Sequence, residues 1–489
     1  MTRWWTAAPA PDLPVEWLLA LLPELAGRSC FVSRSGREVA GLGEAAVIEA
    51  DGPRRIEALG RAARTLTDDL APVGDIDVAP PTLIGGFAFN DRTAPTNHGP
   101  WRGWRSARMV LPEVQLRRSG GQATLLAVAP AGLDRDSAEV WLNQRMAAAR
   151  GALDGVLQDL PDPDETLVDT GAGPTAAAWG LATTALNDEF EPEASSWPAR
   201  HERSAGSLAL HTVAEPAPME EPFEGLVSRA LEAIHGGALT KVTVARARRF
   251  GRLRRRAPVR VLRTLRRRYP DCFRFWIEPA GGTAFVGASP ERLIARAGGT
   301  LRADALAGTV GRSEEAAADA NLGALLLANN KERREHEAVV TFLRRRLAPF
   351  ARDGIQAEST PELLRLVNVQ HLHTPFTVEL APESADLGAL ELAAAVHPTP
   401  AVAGVPAGRA TRWIADHEDL DRGWYAGGVG VLDVDGDGEF CVAIRSGVFD
   451  EDALWLFAGA GVVAGSDPDR ERREVEQKMR ALRDVLVEE

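Results

Sequence analysis

The stretch GVGVLDVDGDGEFCVAIRSGVF, residues 428–449, decides the fold. Two runs rich in small and β-branched residues flank an acidic, glycine-containing centre. That arrangement is a hairpin signal: antiparallel strands joined through an Asp-Gly turn. The centre also opens like a calcium loop, with Asp433, Asp435, Asp437 and Gly438. The closing position, where such a loop needs a bidentate Glu, is Ile444, so the hairpin turn is the better reading.

Similar runs extend to either side. KVTVARARRF (241–250), CFRFWIEP (272–279), GTAFVGASPERLIARAG (282–298), TLRADALAG (300–308) and LLRLVNVQHLHTPFTVEL (363–380) all read as strands with glycine turns. Between them lie helical patterns: FEGLVSRALEAIHGG (223–237), closed by Gly-Gly, and PVRVLRTLRRRYP (258–270), stopped by Pro270. Residues 314–350 read as two helices broken near Asn329-Asn330. SDPDRERREVEQKMRALRDVL (466–486) is a closing helix capped by Ser466 or Asp467. Strands and helices alternate irregularly, with long antiparallel hairpins. A mixed α/β sandwich of the α+β class follows, with large antiparallel-rich sheets and outer helices, and not a doubly wound sheet.

Residues 1–210 mix strands, such as TLIGGFAF (82–89), with helices, such as SAEVWLNQRMAAARGAL (137–153). Near 157–207 Pro, Asp, Glu, Ala, Thr and Ser dominate, as in a mobile connector or surface insertion. Residues 222–489 carry the sharper signals and the candidate catalytic region.

Composition excludes several function classes. The chain has 489 residues, 45% hydrophobic and 26% charged, as in ordinary globular proteins. A formal charge of −13 argues against nucleic acid as a main partner. Arg246–Arg268 is dense in arginine, but no rhythm of base-stacking aromatics accompanies it, so a solvated strand edge and helix face is the plainer reading. Cys30, Cys272 and Cys441 are few and far apart, which suits a reducing compartment and neither disulfides nor zinc. Gly459 and Gly461 do not complete a dinucleotide fingerprint. The opening MTRWWTAAPAPDLP has no apolar run of signal-peptide type, and no stretch of about 18 apolar residues occurs. The expectation is a soluble cytoplasmic protein with no membrane association.

Only three of the 56 basic residues are lysine: Lys241, Lys331 and Lys478. Where charge alone suffices, this sequence uses arginine. A lysine that persists is a candidate for chemistry closed to arginine, since a partly buried amine can act as a base. The two tyrosines are Tyr269 and Tyr425, the second in a glycine-rich polar segment.

The lysines sit in a series of motifs. In chain order these are KVTVAR at Lys241, GASPERL at Glu291, ALAGT at Ala305–Thr309, KERREHEAVV at Lys331–Val340, VQHL at His371, HPTPAVAG at His397–Gly404, YAGGVG at Tyr425, AIRSG at Arg445, and AGAGVVAGSDPDRERREVEQK ending at Lys478. This series resembles the chorismate-binding enzyme family, which includes isochorismate, salicylate, anthranilate and aminodeoxychorismate synthases. The resemblance covers about residues 222–489. The first 210 residues fit as the family's variable N-terminal part, with FVSRSGREVAGLG (31–43) and LIGGFAF as weak echoes.

The resemblance implies a substrate, a reaction and a set of roles. Chorismate is a dianion with a ring carboxylate and an enolpyruvyl carboxylate. The shared step adds a nucleophile at ring C2 and expels the C4 hydroxyl, which needs a base and an acid. A divalent metal holds and polarises the ring carboxylate. Lys241 matches the base. A free lysine, with a pKa of about 10.4, costs roughly 4–5 kcal/mol to neutralise at pH 7, against about 7–9 for arginine. Glu291 matches the acid and must arrive protonated, which an apolar surround or the metal-site carboxylates would favour. Glu335 and Glu474 match magnesium ligands, and Glu471, one turn before Glu474, is a further candidate through water. Arg445 and Tyr425 match positions for the enolpyruvyl carboxylate, with Gly459 and Gly461 allowing close backbone approach. His371 matches a position near the ring carboxylate, Ala307, Gly308 and Thr309 match substrate-binding positions, and Lys478 shares the helix face of Glu474 and would meet the substrate. Lys331 reads as structural, pairing with carboxylates near the metal.

Within the family the nucleophile divides members. Ammonia-using synthases carry a proline-containing PIAGT or PIKGT where this chain has ALAGT, and the LLES motif of anthranilate synthases is replaced by FVSRSG. Both differences imply water as nucleophile and no glutaminase partner. PTPAVAG after the histidine resembles isochorismate synthases more than the TVTASG-type stretch of salicylate synthases. The expectation is chorismate to isochorismate, an isomerisation serving menaquinone or siderophore synthesis, with a lean to menaquinone from the long N-terminal region. A salicylate synthase is the alternative, and an ammonia-using synthase a more distant one.

Overall fold

The structure is a computed structural model that describes residues 2–22, 24–74, 76–91, 99–159, 222–251, 257–280, 282–367, 369–450 and 453–487. From 160 onward the expected connector lies outside the described residues. Its start is helical, because the helix Arg135–Asp159 continues past 157.

The described residues form two sheets, of 12 and 10 strands. The larger runs, edge to edge, through Gly404–Val405, Lys241–Gly251, Ala453–Val463, Ser446–Phe449, Ala284–Ser289, Phe273–Glu278, Arg28–Val32, Glu38–Leu42, Val114–Ser119, Gln122–Val128, Arg3–Pro9 and Leu70–Pro72. The smaller runs through Ala351–Gln356, Val369–Leu380, Thr300–Gly311, Arg292–Ala297, Gly438–Val442, Gly428–Leu432, Leu83–Phe87, Ala107–Leu111 and Ala46–Ala50, with Glu362–Arg365 also on Val369–Leu380. Neighbours pair antiparallel except Arg3–Pro9 with Leu70–Pro72. The α+β class expected from the irregular element order is what forms.

Residues before 150 do not stand apart. Arg28–Val32 pairs with Phe273–Glu278 in one sheet, and Leu83–Phe87 pairs with Gly428–Leu432 in the other. One core joins both sheets. In it Trp101 and Trp104 stack edge-on against Phe285, and Trp104 also meets Trp424.

The opening stretch forms the expected hairpin, Gly428–Leu432 against Gly438–Val442, in register from Gly428↔Val442 to Leu432↔Gly438. Gly436 takes φ 82° at its turn, a value that glycine adopts without steric cost. The turn's acids are committed to side chains: Asp433 to Thr82 (2.7 Å) and Arg37, Asp437 to Arg296 and the Gly298 N–H. The stretch is not one sheet throughout. At Ala443–Arg445 the chain leaves the smaller sheet, and Ser446–Phe449 joins the larger. Ser289–Glu291 makes a second crossing, from Ala284–Ser289 to Arg292–Ala297. The two crossings are hydrogen-bonded: Val442 N–H donates to the Glu291 carbonyl (3.0 Å) and Ala288 N–H to that of Arg445 (3.1 Å).

Two helices complete the surroundings of this seam. Asn329 ends Ala316–Ala328 and caps Asn330–Leu347, its Oδ1 accepting from Lys331 N (2.9 Å) and Glu332 N (3.3 Å). Asp467 caps Pro468–Val487 through Arg470 N (2.8 Å), so of the two cap candidates Asp467 takes the role. The arginine-dense segment serves packing where it is described. Arg266 forks to Glu16 and Glu38 at 2.8–3.0 Å, and Arg263 lies over the Trp17 ring.

Candidate active site

The site forms where the two crossings meet the edge of the larger sheet. Lys241 opens the strand Lys241–Gly251, which pairs antiparallel with Ala453–Val463. Gly461 stands opposite Thr243 and Gly459 opposite Ala245, so both glycines share the lysine's face of the sheet. A Cβ on Gly461 would lie 3.0 Å from Lys241 Cε and 2.8 Å from Glu335 Oε1. The missing side chain lets Lys241 reach Glu335. Lys241 is buried, and its Nζ lies 2.5 Å from Glu335 Oε1, on the helix Asn330–Leu347.

Glu291 is buried at the crossing, and among the described residues its Oε1 has no hydrogen-bond partner. Burial pushes its carboxyl up to about 8, the nearby Asp304 charge adds to this, and the Lys241 ammonium opposes it. At neutral pH Glu291 is therefore largely protonated. The causes differ in part from those expected: desolvation acts as anticipated, but the charge that helps is Asp304 and not a metal-site carboxylate.

A second side is built on a cation. Arg445 lies at the second crossing, half-buried, with φ 49°, an uncommon left-handed backbone for a long side chain. Its Nη2 donates to His371 Nε2 at 3.0 Å. Among the described residues no carboxylate pairs with its guanidinium. His371 Nδ1 lies 2.9 Å from Thr309 Oγ1 and 3.3 Å from the Gly308 carbonyl. Burial, then Arg445, hold His371 well below the usual histidine range, so the ring is neutral, with Nε2 accepting and Nδ1 carrying the proton.

The ALAGT segment bulges here. Ala307 pairs with Leu372 and Thr309 with His371, leaving Gly308 as the extra residue at φ 77°. Ala307 is buried and leads into the bulge. Tyr425 is buried and stacks on Phe457 with ring centroids 5.3 Å apart, and its hydroxyl lies 3.3 Å from where a Gly459 Cβ would be. Burial raises the Tyr425 phenol above its ordinary range, so it is a donor. Lys478 Nζ donates to the Gly459 carbonyl (3.0 Å) and to Glu474 Oε1 (2.7 Å).

The third side is a carboxylate corner. Glu332 and Glu335 come from one helix, Glu471 and Glu474 from the other. Burial first, then Glu335, raises Glu332; burial, then Glu474, raises Glu471 against an opposing bond from Ser466. Burial would raise Glu474 too, but Lys478 and Lys331 outweigh it and its pKa is lowered. Each lysine of the chain serves one acid: Lys241 Glu335, Lys478 Glu474, and Lys331 Glu471 at 3.9 Å. Among the described residues no three His, Cys, Asp or Glu side chains are gathered as a metal cage. Magnesium takes one or two carboxylates and completes its shell with water and substrate oxygens. Glu335 and Glu474 fit such a role, with Glu332 and Glu471 in support.

The residues matched to catalytic, metal and substrate roles thus reach one region. Others were not anticipated. Asp304, buried, meets Arg292 (3.4 Å), Arg34 (3.5 Å) and His373 (3.3 Å). Glu418 and Arg422 form a fully buried pair (2.6 Å) that also holds Ala245 N, Thr243 O and Val402 O, fixing the lysine strand against the HPTPAVAG loop. Glu332 was available as the i−3 neighbour of Glu335 on the same helix face. Asp304 and Arg422 had no signal, since only the fold brings their partners near. His397 is a core histidine, bonded to Phe89 O (2.9 Å). No described helix is long and apolar enough to cross a membrane.

Comparison with known proteins gives concordant results. The family described as chorismate binding enzyme matches residues 6–191 and 181–487. The salicylate biosynthesis isochorismate synthase of Pseudomonas aeruginosa is 34% identical over 408 residues, covering 83% of this chain and 74% of that protein. The isochorismate synthase MenF of Escherichia coli is 37% identical over 270 residues, 53% of this chain and 59% of that one. The solved structure of the menaquinone-specific MenF from Escherichia coli superposes with TM-score 0.70 at 25% identity, covering 99% of this chain and 94% of that one. By motif order, fold and overall similarity, the chain is an enzyme of the chorismate-binding family.

Proposed function

We propose that this enzyme is an isochorismate synthase, converting chorismate to isochorismate. The observation that carries the reading is Glu291: a buried carboxyl with a bare oxygen, protonated at neutral pH, beside the buried amine of Lys241. In its unprotonated form Lys241 takes a proton from the water that attacks ring C2. Glu291 gives its proton to the C4 hydroxyl, which leaves as water. One water enters and one departs, so the product is an isomer and no redox partner is needed. Each turnover leaves Lys241 as ammonium and Glu291 as carboxylate, and a proton must return from one to the other before the next.

The guanidinium of Arg445, without a carboxylate of its own, takes the enolpyruvyl carboxylate with the Tyr425 hydroxyl and the backbone at Gly459 and Gly461. His371, Thr309 and the Gly308 bulge line the ring-carboxylate side together with Lys478. Glu335 and Glu474 would hold magnesium, with Glu471 behind them, and the ion supplies charge neutralisation at the ring carboxylate. No glutaminase enters this scheme.

Two relatives named isochorismate synthases support the reading, one of them named for salicylate biosynthesis. The test is incubation of the purified protein with chorismate and magnesium, with chromatographic separation of products. Isochorismate accumulating without ammonium supports the proposal. Salicylate with pyruvate would replace it by a salicylate synthase, and turnover only with ammonium would replace it by an amine-forming enzyme. The destination, menaquinone or a siderophore, follows from which isochorismate-consuming genes adjoin this one; a menaquinone set is the expected outcome.

A further inference from the structure

The polar groups packed behind Glu291 form a device that the reaction scheme above leaves unused. Glu291 lies between Pro290 and Arg292, and both neighbours are tied to the same buried acid. Arg34 Nη1 donates to the Pro290 carbonyl (2.9 Å) and faces Asp304 Oδ2 (3.5 Å). Arg292 Nη1 faces Asp304 Oδ1 (3.4 Å), while its Nε donates to Glu439 Oε1 (2.9 Å). Ser33 and Ser35 both donate to Glu439 Oε2, at 2.5 and 3.0 Å. His373 Nε2 approaches Asp304 (3.3 Å), and its Nδ1 lies 2.9 Å from Glu362. The N-terminal turn Ser33–Ser35, the crossing Ser289–Glu291 and the strand Thr300–Gly311 are thereby locked together around two carboxylates, Asp304 and Glu439.

We infer that Asp304 is a positioning residue for the general acid: its buried carboxylate, fixed by Arg34, Arg292 and His373, keeps the proton on Glu291 and holds the crossing in place. A fixed negative charge in a desolvated site disfavours a second one nearby. Two acids are then held in opposite states by their partners. Asp304 has Arg292 and Arg34 as cations and stays ionised, because these, with the contact to His373, outweigh the burial that opposes them. Glu291 has a free oxygen and keeps its proton. The groups facing this pair are Lys241 from the edge strand, Arg34 from the N-terminal turn, Arg292 from the strand that follows the crossing, Glu439 from the hairpin, and His373 with Glu362 from the neighbouring strands. The serine-arginine turn at Ser33–Ser35, remote in sequence from every catalytic motif, thereby becomes part of the acid's support.

This inference rests on Glu291 being the acid, so the experiment separates the two. In the wild type, kcat/KM should fall above about pH 8 as Glu291 loses its proton. Asp304→Asn removes the charge, and the alkaline limb should move down by about one pH unit or more. Asp304→Glu should restore it towards the wild-type position. Arg34→Gln removes one of the contacts that fix the Asp304 carboxylate and frees the Pro290 carbonyl, and should move the limb the same way by a smaller step. If Asp304→Asn does not fold, Arg34→Gln carries the test. Unmoved limbs in the folded variants overturn the inference. The infrared carboxyl band of Glu291, identified as the one missing in Glu291→Gln, reads the same titration without turnover. Full turnover by Glu291→Gln would sink the acid assignment itself, while a band that ignores Asp304 would sink only the coupling.

Discussion

The Arg445 guanidinium donates to His371 Nε2 at 3.0 Å, and that neutral imidazole is in turn fixed by Thr309 and the Gly308 carbonyl. A histidine that accepts from an arginine cannot be protonated on the same nitrogen, so the contact requires the neutral ring that burial already favours. The ring orients the guanidinium without neutralising it. The positive charge therefore remains available to an anion, in a site where a carboxylate partner from the protein would have cancelled it.

Arg445→Lys tests this. Lysine keeps the charge but loses the planar fork that engages a carboxylate through two bonds. Charge-assisted hydrogen bonds are each worth about 1.5–3 kcal/mol, so KM for chorismate should rise about tenfold to a hundredfold, with a smaller change in kcat. Steady-state kinetics decide, and an unchanged KM would remove Arg445 from the substrate site.

Lys241→Ala should abolish turnover while chorismate binding stays nearly intact by calorimetry. General-base removal typically costs about a hundredfold to ten-thousandfold. A variant retaining more than a tenth of the wild-type rate would show that Lys241 is not the base.

The motifs and the fold class were readable because each depends on local pattern: glycine turns, strand alternation, a helix break at Asn329-Asn330, a cap at Ser466 or Asp467. The coupling between the sheets was not. Nothing near Ala443 signals that the chain changes sheets there, because a crossing is decided by which distant strands offer free edges. The same holds for Asp304. It sits in a strand whose local sequence gives it no partner, and its meaning comes from Arg34, 270 residues earlier. The four-acid corner was half legible: helical spacing linked Glu471 to Glu474, but the meeting of the two helices is tertiary.

Glu335→Gln removes a negative charge from that corner and unpairs Lys241. Activity should fall, and the magnesium concentration giving half-maximal rate should rise about tenfold or more. Titration of residual activity against magnesium checks this. A variant needing the same magnesium concentration as wild type would show that Glu335 is not a ligand.

Glu291 also makes stability depend on pH. The folded protein keeps this proton up to about 8, whereas an unperturbed glutamate releases it near 4.5. Between those values the unfolded chain binds fewer protons, so stability falls as pH rises. The contribution is whole below the lower value and lost as pH passes the upper, and it amounts to roughly 5 kcal/mol. Glu291→Gln has no such proton to lose. Its melting temperature relative to wild type should therefore increase from pH 5 to pH 9. A difference that stays constant across that range would mean that Glu291 titrates as an ordinary carboxylate.

Gly461→Ala isolates geometry from fold. The φ of Gly461 is not left-handed, so alanine meets no backbone penalty there, unlike at Gly308. Its Cβ would instead press on Glu335 Oε1 at 2.8 Å and Lys241 Cε at 3.0 Å, both at the flexible ends of side chains. These can yield by a few tenths of an ångström, so thermal stability should change little. Yielding displaces the amine from its place beside the substrate, and a displacement of about 1 Å can cost a hundredfold in rate. The expected variant is a folded protein with a near-native melting curve and turnover reduced tenfold to a hundredfold (on the order of that limit). Wild-type turnover would mean that the Lys241–Glu335 contact has slack, and that the glycine serves strand packing and not catalysis.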